Sequence, residues 1–96
     1  MEEASFVRWR IYFSGTVQHV GFRYTAYYLA RGLYLTGWVD NLPDGRVVLE
    51  AQGRVSQVRK LLFQLKSQAH IKITGTEIIP LSIEPHERGF AVRGYN

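Results

Sequence analysis

Along this chain of 96 residues the spacing of apolar side chains switches between a period of two and a helical period, and the order of those switches limits the fold more than any single motif. From Val7 to Ser14 the residues alternate, with Val7, Trp9, Ile11 and Phe13 on one side and Arg8, Arg10, Tyr12 and Ser14 on the other, as in a half-buried strand. Gly15 to Gly21 is a loop bounded by glycines. Phe22, Ala26, Leu29, Ala30 and Leu33 then recur at helical spacing, predicting a helix from about Phe22 to Leu33, with Gly32 marking its end. Leu35 to Asn41 and Arg46 to Gln52 follow as two strands of a hairpin around Leu42-Pro43-Asp44-Gly45, where Pro presets one dihedral and Gly tolerates a positive φ. Val55, Val58, Leu61, Leu62 and Leu65 make a second helix ending near Ser67, with Gln57, Lys60, Gln64 and Lys66 on its wet side. After a loop through Ala69 to Gly75, Ile79, Leu81 and Ile83 alternate in a fourth strand, which Pro80 assigns to a sheet edge or a strand end. Phe90 and Val92 begin a short last strand.

The order strand, helix, strand, strand, helix, strand is that of the split βαβ, or ferredoxin-like, α+β sandwich: an antiparallel sheet with two helices on one face. Nothing in the sequence divides the chain, so residues 1–96 are expected to form a single domain. With 46% of the residues hydrophobic, a core of this size is thin, and most periodic apolar positions must lie inside it. The chain has no cysteine, which excludes disulfides, cysteine-ligated metal centres and a thiol nucleophile. Met1-Glu2-Glu3-Ala4-Ser5 is acidic where a signal peptide is basic, and no apolar run approaches the roughly 20 residues of a membrane span, so a soluble cytoplasmic protein is expected. The net charge of +4 favours anionic partners, but Arg59-Lys60 is the only adjacent basic pair and no basic arm exists.

The loop Gly15-Thr16-Val17-Gln18-His19-Val20-Gly21 joins a strand to a helix N-terminus, where free amide N–H groups and the positive end of the helix dipole attract anions. Arg23, in the first helical turn, adds a forked and permanently charged donor, so loop and arginine together can cradle a phosphate. A tight turn followed by a surface arginine has the same sequence. The nucleotide-binding pattern G-x-x-x-x-G-K-[S/T] does not occur. Asn41, at the end of the second strand, serves equally as a turn residue or as a rigid donor and acceptor that orients a water molecule. His70 and His86 have no partner at metal-ligand spacing, and no metal site is expected. Tyr24, Tyr27, Tyr28 and Tyr34 gather on or near the first helix, some capping the core and a wet-facing subset suited to a self-association patch.

Gly15-x-Val17-Gln18-His19-Val20-x-Phe22-Arg23, followed by Gly37-Trp38-Val39-x-Asn41-x-x-x-Gly45-x-Val47 and closed by Gly53, resembles the pair of signatures of the acylphosphatases. These are small metal-free enzymes of ferredoxin-like fold that hydrolyse the carboxyl-phosphate bond. The resemblance spans nearly the whole chain. It implies that Arg23 and Asn41 are catalytic, with Gly15, Thr16, Val17, Gln18, His19, Val20 and Arg23 binding the phosphoryl group and Asn41 aiming the attacking water. It implies no cofactor, a small acyl phosphate or inorganic phosphate as partner, and a monomer without membrane or nucleic-acid partners. His19 stands where the family signature ordinarily has Gly; if the position needs a positive φ, His adopts it at a cost and adds bulk near the anion. Asp40 replaces a Lys or Arg frequent in the family, and strand alternation sends it to the face opposite Asn41, so its effect is expected to be small.

Two other functions fit the same elements. One is a phosphate-ligand-sensing or interaction domain of the same fold that has lost turnover. The other is an RNA-binding module, because the element order and basic charge suit RNA-recognition domains. Against the latter, Arg46-Val47-Val48-Leu49-Glu50 on the third strand offers no aromatic platform, and the aromatic run Arg88 to Tyr95 falls on the terminal strand.

Overall fold

Val47–Arg54 forms the middle strand, β3, of the sheet, and its residues from Val47 through Gly53 are all buried. In the computed structural model, which describes residues 5–94, β1 (Phe6–Thr16) and β2 (Thr36–Asn41) flank β3 antiparallel, so that Ile11 and Val39 both stand opposite Leu49. β4 (Lys72–Leu81) pairs antiparallel with the outer side of β1, and β5 (Phe90–Val92) runs parallel to β2, giving the order β4-β1-β3-β2-β5. Four strands thus make the antiparallel sheet of a ferredoxin-like fold, and the short terminal element adds to it in the parallel sense. Two helices, α1 (Phe22–Gly32) and α2 (Val55–Lys66), cover one face. No helix among the described residues is long and apolar enough to cross a membrane.

The periodic positions fill the space between sheet and helices. Ile11, Phe13, Val39, Leu49 and Ala51 from the strands meet Phe22, Ala26 and Ala30 of α1 and Val58, Leu61 and Leu65 of α2. Ala26 and Ala30 keep α1 close to the sheet, and the rings of Phe13 and Phe22 meet at 5.0 Å between centroids, in a tilted arrangement. Leu29 and Leu62 pack at the margin of this core.

The fourth strand corrects the sequence reading. It starts at Lys72, inside the stretch expected to be a loop, and ends at Leu81, so that Ile83 lies outside it. Ile73 is half-buried between exposed neighbours, and a strand mostly open to solvent carries too weak an apolar alternation to be read locally. Pro80 does lie near the end of an edge strand, the position expected of it.

The opposite face of the sheet carries Arg8, Arg10 and Tyr12, expected to be wet. Arg8 is instead only 4% exposed. The segment 82–89 crosses over it on the way to β5: Arg8 donates from Nε and Nη2 to Glu50 at 2.9 and 2.7 Å and from Nη1 to Glu87 at 2.6 Å. Gln52 fastens the same segment by accepting from the Glu84 N–H at 2.8 Å and donating to the Glu84 carbonyl at 3.1 Å. Burial pushes the Glu50 carboxyl up, but hydrogen bonds from Arg10 and Arg8 outweigh it and hold the group below the ordinary glutamate range.

Candidate active site

β1 runs to Thr16 because a bulge at Ser14/Gly15 turns the strand end while keeping it paired with β4. Gly15 has φ 123°, and a Cβ there would lie 2.2 Å from the Lys72 carbonyl oxygen, so only glycine fits the bulge. The irregular part of the loop is therefore 17–21. Val17 anchors it with a side chain that is fully buried. His19 has φ 64°, the left-handed conformation that the sequence reading feared for this position.

Gly21, also left-handed at φ 79°, turns the chain into α1. No side chain caps this N-terminus, and the Thr25 N–H donates to the Gly21 carbonyl at 3.0 Å, so the amides of the first turn have no partner within the helix. The same turn borders an open cavity of about 160 Å³ lined by Val17, His19, Gly21, Phe22, Arg23, Tyr24 and Asn41. The end of β2 and the start of α1 thus share one rim, because β1 and β2 both run antiparallel to β3 and their C-terminal ends, with Phe13 and Asn41 each opposite Val47, lie at the same end of the sheet.

Two contacts set this geometry. The Gln18 side chain turns away from the cavity and donates from Nε2 to the Leu42 carbonyl at 2.7 Å and to the Arg46 carbonyl at 2.9 Å, bracing the loop against the turn that follows Asn41. Arg23 donates from Nη1 to the carbonyls of Arg93 at 2.6 Å and Gly94 at 3.0 Å, so the exit from β5 holds one arm of the guanidinium. Its hydrogen bonds among the described residues all start from Nη1, which leaves Nε and Nη2 for a ligand.

Asp40 is closer to the arginine than alternation suggested. A Cβ on Gly94 would lie 2.8 Å from Asp40 Oδ1 and 3.1 Å from Arg23 Nη1, so carboxylate and guanidinium both stand close to one glycine. The strand face sets where a side chain starts, and the length of Arg23 brings the two charges together.

Of the residues singled out in the sequence, Val17, His19, Arg23 and Asn41 line the cavity. Gly15 and Thr16 belong to β1, Gln18 reaches the hairpin, and Val20 packs against the core. Gly21, Phe22 and Tyr24 line the cavity without having been proposed as site residues. Gly21 was legible as the glycine ending the loop. Tyr24 gave no signal beyond an aromatic on the wet side of a helix. Among the described residues no three His, Cys, Asp or Glu side chains gather as a metal site.

A ferredoxin-like sandwich whose uncapped helix N-terminus, arginine and asparagine surround one small cavity defines a class of α+β proteins suited to bind a tetrahedral anion. The acylphosphatase family model matches residues 9–92. An acylphosphatase of Archaeoglobus fulgidus is 44% identical over 80% of this chain and 88% of its own length. One from Bifidobacterium longum is 39% identical over 96% of this chain and 97% of its own. The crystal structure of acylphosphatase from Bacillus subtilis superposes with a TM-score of 0.85 at 29% identity, covering 92% of this chain and 99% of that one. The chain belongs to the acylphosphatase family, whose members are hydrolases.

Proposed function

We propose that this chain hydrolyses acyl phosphates to a carboxylate and inorganic phosphate by a single in-line displacement at phosphorus. The observation that carries the reading is the joint lining of one cavity by Arg23, Asn41 and the start of α1. The first-turn amides and the free arm of Arg23 hold the phosphoryl oxygens, and the Asn41 carboxamide orients a water. The water oxygen forms a bond to phosphorus while the phosphorus–oxygen bond to the acyl group breaks, its electron pair leaving on the carboxylate. The water proton passes to a phosphoryl oxygen. A carboxylate is a good leaving group, so positioning and charge stabilisation supply most of what the reaction needs. In this reading residues 1–96 work as one domain and as a monomer, in the cytoplasm, on a small acyl phosphate and without a bound metal.

The test is steady-state hydrolysis of benzoyl phosphate in the presence of a chelator. Arg23→Ala is expected to raise KM and cut kcat together, and Asn41→Ala to cut chiefly kcat, each by about 10²–10³-fold, as for loss of one transition-state donor. Full activity of the Asn41 variant removes its role. The left-handed His19 favours a second reading, a domain that binds phosphate without turning substrate over. Phosphate binding with no hydrolysis by the unmodified chain selects it.

A further inference from the structure

Tyr24 is 58% exposed and yet lines the cavity, and His19, exposed in the loop, lines it from the other element. The cradle of first-turn amides and Arg23 uses neither side chain. In-line displacement fixes what lies beside them, because the attacking water and the departing oxygen stand on opposite sides of phosphorus. With the water held by Asn41, the acyl group leaves on the side of phosphorus away from Asn41, and every other residue lining the cavity belongs to the loop or to the start of α1. Of these, Val17 and Phe22 are buried, Gly21 has no side chain, and Arg23 is engaged with the phosphoryl oxygens and the β5 exit. The remaining two side chains are a phenol and an imidazole.

Resting on the hydrolytic reading, we infer that Tyr24 and His19 are the walls of an acyl-group subsite that selects flat aromatic acyl groups. Two planar rings among the residues lining one cavity match an aroyl group by stacking and by burial of its faces. Arg23 is the only permanently charged side chain among the lining residues, and the phosphoryl group occupies it, so a second anionic group on the acyl part finds no partner. Tyr28 is the internal comparison: it lies one turn along α1, is 65% exposed, and does not line the cavity.

Benzoyl phosphate and acetyl phosphate release carboxylates of similar basicity, so their kcat/KM ratio reads the acyl subsite. The unmodified chain is expected to prefer benzoyl phosphate by about tenfold, and Tyr24→Ala to erase most of that preference through KM. Tyr24→Phe, which keeps the ring, and Tyr28→Ala are expected to retain it. Acetyl phosphate turnover and competitive inhibition by inorganic phosphate report the phosphoryl cavity, and both are expected to change less than about twofold in Tyr24→Ala. Equal losses with both substrates, a weakened phosphate inhibition, or an unmoved preference each overturns the subsite while leaving the hydrolase reading intact. Hydrolysis of neither compound by the unmodified chain overturns both.

Discussion

Gln18→Met keeps the length of the side chain and removes the amide that ties the loop to the hairpin. Two hydrogen bonds are lost, to the carbonyls of Leu42 and Arg46. Neither carbonyl is orphaned, since the Gly45 N–H still donates to Leu42 at 3.1 Å and the Leu42 N–H to Arg46 at 2.8 Å. The cost is therefore the net worth of two ordinary bonds, about 1–3 kcal/mol in all, without a desolvation penalty. The kinetic effect is expected to be larger, because Asn41 immediately precedes the braced turn and a displacement of roughly 1 Å at a positioning group costs up to about 10²-fold in rate. A fall in kcat of about tenfold, with phosphate inhibition nearly unchanged, is the expected result. Urea denaturation followed by steady-state kinetics on the same preparation measures both. An unchanged denaturation midpoint together with a sharply raised inhibition constant for phosphate refutes the bracing role and returns Gln18 to direct contact with the phosphoryl group.

Three further outcomes follow from particular contacts. His19→Gly relieves a left-handed φ of 64° worth about 1–2 kcal/mol against roughly 0.5–1 kcal/mol of added chain entropy, so urea denaturation is expected to show a small net gain. Turnover of acetyl phosphate, which is too small to use the imidazole, should rise; unchanged turnover removes His19 as an obstruction. Glu50 titrates below its ordinary value in the native state, so the unfolded chain binds a proton that the native chain refuses in the window just under about pH 4.5. Its contribution is present above that value and is lost as pH falls through the lowered native one. Denaturation midpoints measured over this window should fall less steeply in Glu50→Gln, and that variant should be less stable at neutral pH because Arg8 keeps its burial and loses a counter-charge. Asp40→Asn removes an anion from beside Arg23 and should strengthen phosphate inhibition by about two- to fivefold at low salt, an effect that added salt diminishes. Inhibition that does not respond to the substitution at low salt would refute it.

The chain's own spacing determined its element types, their order and the buried sides of β1, α1, β2, β3 and α2, because Ile11, Phe13, Ala26, Leu49 and Leu61 sit at the periods of strands and helices whatever surrounds them. The two signatures likewise marked Arg23 and Asn41, which fall at the ends of elements where the fold order brings them to one rim. Only the tertiary structure decided what depends on chain segments far apart in sequence. β4 was misplaced because an edge strand buries too little to show its period. Arg8 became a buried charge because a segment some eighty positions further on crosses it, and the amide of Gln18, so like a ligand-binding group in the signature, was spent on a turn beyond the next helix. Tyr24 became part of a cavity only because the fold brings Asn41, at the end of β2, to the same rim. Periodicity is set by each residue's neighbours along the backbone, whereas the pairing of a polar side chain is set by whichever donor or acceptor the folded chain delivers to it.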